Sequence, residues 1–187
     1  MKILTIIVAV LSVSSVANAA TYVFPGEAIE VPTSGPADPS FIYVEDVEGK
    51  VVDISIKFNS FSHRFAKETM VAISNPDGWA TLMWDGVNCK FDSIEITISD
   101  EAATSLEEEC QSGSYLESGA FRGGFNNAAH EFTIPIAPMR PLFQSMNELI
   151  MESPNGRWIL WAEDFVSGDG GTVTGWELII ETEDPTL

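Results

Sequence analysis

The stretch from Ser153 to Glu181 constrains this chain more than any other. Pro154-Asn155-Gly156 is a turn signal, because proline presets φ and Asn-Gly accepts positive φ. Apolar residues then crowd the run from Trp158 to Trp161, a density that predicts a strand buried on both faces. A loop containing Gly168, Gly170 and Gly171 follows. Beyond it Trp176, Leu178 and Ile180 alternate with polar residues such as Glu177 and Glu181, the period-2 pattern of a half-solvated strand. Turn, strand, Gly-rich loop and strand together predict a β-hairpin.

The same alternation recurs upstream. Phe41 to Val47 predicts a short strand turned by Gly49, and Val52, Ile54, Ile56 and Phe58 alternate with Asp53, Ser55 and Lys57, predicting an antiparallel strand that packs one face. Thr69–Ser74 and Trp79–Trp84 flank Asn75-Pro76-Asp77-Gly78, a second hairpin signal. Ser93–Ser99 repeats the pattern. Asp100–Leu106 is a plausible helical turn with acids at its start, Phe132–Ile136 a short strand, and Leu142–Leu149 room for a turn of helix. Seven to eight strands separated by turn signals predict a single-domain, all-β sandwich.

The 187 residues leave no room for a second full domain. Lys2, the apolar run Ile3–Val13 and the small-residue end Ala17-Asn18-Ala19 form the three-part pattern of a secretory signal peptide, with cleavage expected after Ala19. The organisation is therefore read as signal peptide 1–19, a Pro-rich extended lead-in 20–40, and a β-sandwich 41–183. Export implies a secreted or periplasmic location with no membrane attachment once the signal is removed. Cys89 and Cys110 then enter an oxidising compartment, where an even pair forms a disulfide. The closed loop of about 20 residues is worth roughly 3 kcal/mol in the chain-entropy model. A net charge of −19 excludes nucleic acid and anionic lipid, which both require a positive surface.

These residues carry a family resemblance. Ser153-Pro-Asn-Gly-x-Trp-x-Leu, an acidic step, Gly168-Asp-x-Gly-Thr-Val and Gly175-Trp-x-Leu resemble the end of the P domain (P/Homo B domain) of proprotein convertases and bacterial subtilisin-like proteases. Val51–Phe58, Phe61-Ser-His63-Arg64, Met70 to Gly78, Asp100-Glu-Ala-Ala and Pro141-Leu-Phe143 to Asn147 extend it upstream. Phe65-Ala-Lys-Glu68 departs from the family's pattern after the histidine, and the cysteine-bracketed acidic loop is an elaboration. The resemblance implies a jelly-roll, galactose-binding-like sandwich. It also implies a protein partner associated with serine-endopeptidase proteolysis, and calcium near loops of this kind.

Candidate chemistry is sparse. His63 and His130 are the two histidines, no Gly-x-Ser-x-Gly elbow exists, and the catalytic domain that carries the family's triad is absent from this sequence, so no catalytic residue and no enzyme activity are expected. Asp164 and Asp169 offer hard oxygen ligands to calcium, against the plainer reading as turn aspartates. Trp79, just past the Asn-Pro-Asp-Gly turn, offers an aromatic face for a glycan. That leaves a carbohydrate-binding, lectin-like module as the alternative to a protease-associated one.

Overall fold

The computed structural model describes residues 19–125, 130–133, 137 and 143–183. The expected signal peptide lies outside them apart from Ala19, as does most of the strand expected at Phe132–Ile136. Twelve strands are assigned among the described residues, eight of them five residues or longer. They are β1 (Ala19–Gly26), β2 (Ile29–Val31), β3 (Gly35–Pro36), β4 (Ser40–Val44), β5 (Lys50–His63), β6 (Thr69–Ser74), β7 (Ala80–Asp85), β8 (Phe91–Ile98), β9 (Gly119–Phe121), β10 (Gly124–Phe125), β11 (Gly156–Asp164) and β12 (Gly171–Glu183). The first sheet has the order β1-β12-β5-β8-β9, with β2 also on β12; the second runs β10-β7-β6-β11-β3, with β4 also on β11. The architecture is a β-sandwich.

The expected hairpin Ser153–Glu181 is not one. β11 pairs with β3, β4 and β6, whereas β12 pairs with β1, β2 and β5. The Gly-rich loop therefore carries the chain from one sheet to the other. Trp158 and Leu160 on one strand and Trp176, Leu178 and Ile180 on the other all join the interior, each at most 1% exposed. The outer face of β11 is also covered, as the apolar run predicts, because Trp161 packs with Met70, Ala72 and Leu82 in a second cluster.

Residues 20–40, expected as a lead-in over the surface, are part of both sheets. β1 pairs with β12 along its length, and β2 and β3 extend β12 and β11. Their prolines fit because β1 and β3 are edge strands, where a missing N–H need not break a ladder. Gly26 permits one close approach here. It stands opposite Trp176, and a Cβ on it would lie 2.2 Å from the indole nitrogen.

Two irregularities set which side chains of β5 face inward. The register slips between Glu181 and Thr182, so Val51 is buried in place of the expected Val52. A second slip between Phe58 and Phe61, with Ser60 at φ +51°, resets the alternation. Phe58, Phe61 and His63 then all point into the interior. Phe58 and Phe61 meet Trp84, and Phe61 and Trp84 meet Phe91, at centroid distances of 5.3–5.8 Å.

The hairpin β6–β7 forms as expected, with Ser74 opposite Ala80. The helix expected within Asp100–Leu106 instead begins where that stretch ends, as α1 (Leu106–Glu109). Ser105 and Glu108 form a reciprocal capping box there, which draws the helix start to Ser105. Met146–Leu149 is a turn of 3-10 helix. Cys89 and Cys110 are disulfide-bonded, joining the segment before β8 to the end of α1 across 21 positions. Reduction is expected to lower stability by roughly 3 kcal/mol, measured as urea unfolding with and without reductant.

Asp53 sits directly opposite Glu181 on β12. Burial, then the Glu181 charge, raises the Asp53 carboxyl above its ordinary value of 3.8. A raised folded-state value means ionised Asp53 opposes folding at neutral pH; this penalty fades as pH falls from the raised value toward 3.8. Asp53→Asn should therefore stabilise at pH 7 by a few tenths to about 1 kcal/mol, given partial solvation. The gain should shrink as unfolding is measured at progressively lower pH.

Candidate functional site

Three places combine polar chemistry with definite geometry. In the first, His63 and Asp164 meet in the interior with both side chains fully excluded from solvent. The bulge at Ser60 turns His63 inward, and Asp164 ends β11. The Phe65 N–H donates to His63 Nδ1 at 3.2 Å, so that nitrogen holds its lone pair and the ring proton sits on Nε2. Nε2 donates to Asp164 Oδ2 at 3.1 Å, while Asp164 Oδ1 accepts from the Val166 N–H at 2.8 Å. Both imidazole nitrogens are thus engaged by the protein itself. His63 itself lies in β5 and is 1% exposed.

In the second place, two buried carboxylates hold a segment against the outer face of the second sheet. Glu163 and Asp85 flank Met70 in register, so all three project from the same face. Asp85 Oδ1 bonds His130 Nδ1 at 2.5 Å, and its Oδ2 accepts the His130 N–H. Glu163 accepts from the N–H and hydroxyl of Thr133, each at 2.8 Å. The His130 ring stacks on Phe165 with centroids 3.6 Å apart. Sequence reasoning missed this clamp. Its one legible signal is that Asp85 ends, and Glu163 stands one residue from the end of, a strand apolar on both faces, where a carboxylate must find donors.

The third place is the groove beside Trp79. Trp79 is 57% exposed, while Trp84, Trp158, Trp161 and Trp176 are buried. Asn75 fixes it: Asn75 Oδ1 accepts the Trp79 N–H and the Asn75 N–H donates to the Trp79 carbonyl, both at 2.9 Å. Phe143 packs on it at a centroid distance of 5.3 Å. Main-chain bonds to Ala80 and Leu82 hold Phe143 there. Together they wall a groove of about 620 Å³ whose lining includes Asp77, Glu148 and Glu152. Phe143 and the two glutamates are distant from Trp79 in sequence, so only the fold unites them.

Asp164 and Asp169, the calcium candidates, stand in different surroundings. Asp164 is wholly buried with both oxygens bonded to protein donors, whereas Asp169 stands in the half-exposed loop beyond. Among the described residues no three His, Cys, Asp or Glu side chains converge in a way that would hold a metal ion.

No family model matches the chain, and no curated protein does. Among solved structures, the serine protease of Aeromonas sobria is 13% identical with a TM-score of 0.42, over 91% of this chain and 28% of that one. A chain from the complex of that protease with the chaperone is 16% identical with a TM-score of 0.41, over 88% and 27%. This chain thus spans just over a quarter of either.

Proposed function

We propose that this chain is a secreted, non-catalytic P-domain-like module that binds and stabilises a protein partner, the partner being a subtilisin-like serine endopeptidase. One observation carries the reading: the tryptophans of the stretch that resembles the P domain are built into the core of the sandwich. Trp158 and Trp176 lie on strands of opposite sheets and meet the same interior, and each indole N–H finds a partner, Pro154 O and Ser40 Oγ, both at 2.9 Å. Pro154 belongs to the same motif as Trp158. The buried, internally bonded His63 has no capacity left to act as a base on a substrate, which supports the non-catalytic reading. The disulfide supports export to an oxidising compartment.

The carbohydrate-binding alternative rests on exposed Trp79. It is weaker because Asn75, the amide in the groove's lining, is spent on Leu149 and Trp79. Hydrolysis of casein and fluorogenic peptides by the purified mature protein tests the non-catalytic reading. No turnover above a buffer blank is expected; turnover abolished by His130→Ala would overturn it.

A further inference from the structure

The groove beside Trp79 is lined by aromatic, aliphatic, acidic and neutral polar side chains. Its two aromatic walls offer π-faces, its polar rim carries Asp77, Glu148 and Glu152, and among the described residues no Lys or Arg lines it. The ion pairs among the described residues are Lys57–Glu95, His63–Asp164, Arg122–Glu108 and His130–Asp85, so none of these three acids is neutralised by one. A ligand for such a place donates hydrogen bonds, carries positive charge and tolerates an aromatic face. We propose that the groove receives the lysine or arginine side chain of a basic segment in a partner polypeptide. Charge complementarity argues for this occupant, since the chain's net charge of −19 draws cationic segments toward it. The rigidity of the Asn75–Trp79 turn reduces the ordering that binding requires. The proposal deepens the partner-binding reading by naming the chemistry of the contact.

The test is titration of the mature protein with acetyl-Gly-Arg-Arg-Gly-amide at low salt, followed by tryptophan emission and by calorimetry. Trp79 is the one tryptophan that is not buried, so emission reports on this groove. Saturable binding is expected, at least fivefold weaker in Trp79→Ala and in Glu148→Gln/Glu152→Gln, and weaker still for the citrulline analogue of the peptide. Equal binding by Trp79→Ala or by the citrulline peptide overturns the proposal, as does saturable binding of neutral oligosaccharides in place of the peptide. If the peptide fails while the protein still captures a protease, the groove is excluded and the partner-binding reading stands. If neither binds, both fall.

Discussion

His63→Leu is expected to lower the stability of the folded protein by about 3–5 kcal/mol, because it strands a carboxylate in a site from which water is excluded. Asp164 and His63 are both at zero side-chain exposure. Loss of the imidazole leaves Asp164 with the Val166 N–H as its remaining donor and removes the acceptor of the Phe65 N–H. The penalty belongs to the orphaned groups rather than to lost volume. His63→Leu/Asp164→Leu should therefore recover part of it, since the second change removes the charge that needs a partner. Urea unfolding of both single variants and the double one gives the coupling directly. A cost below 1 kcal/mol for His63→Leu would show that water reaches the pair.

Trp176→Ala should cost roughly 3–5 kcal/mol, the usual range for emptying a large aromatic site. The indole is 1% exposed and donates to Ser40 Oγ, so the variant leaves a cavity and removes one of the two hydrogen bonds of that hydroxyl, which still donates to the Glu27 carbonyl at 3.2 Å. The face of Gly26 against which the ring lies supplies an internal control. Gly26→Ala should destabilise the wild type, because its Cβ would clash with the indole, and should cost little once Trp176 is alanine. Additive effects in that cycle would contradict the packing described here.

These two sites show what could be read from the sequence and what could not. The β6–β7 hairpin, the disulfide and the exposure of Trp79 were legible because each depends on local chemistry: a proline-glycine turn, an even pair of cysteines behind a signal-peptide pattern, an aromatic placed just past a turn. A dense apolar run also identified β11 as a strand, and alternation identified β5 and β12. It could not distinguish two strands paired edge to edge from two facing each other across an interior, since both bury every second residue. Hence β11 and β12 were read as a hairpin. The inward turn of His63 depends on a bulge at Ser60, which no apolar pattern announces. Asp85, Glu163 and Asp164 look like solvated acids in a chain with 28 of them. Their burial follows from which segments happen to cover the sheet ends.

The central claim is that the chain serves a serine endopeptidase without being one. The direct measurement is affinity purification of the tagged, exported protein from culture medium, followed by a fluorophosphonate probe that labels active serine hydrolases. The account predicts label on a co-eluting partner of subtilisin-like sequence, retained through high-salt washing, and no label on this chain. Label on the chain itself, or repeated recovery with no labelled partner while glycans bind, would contradict it.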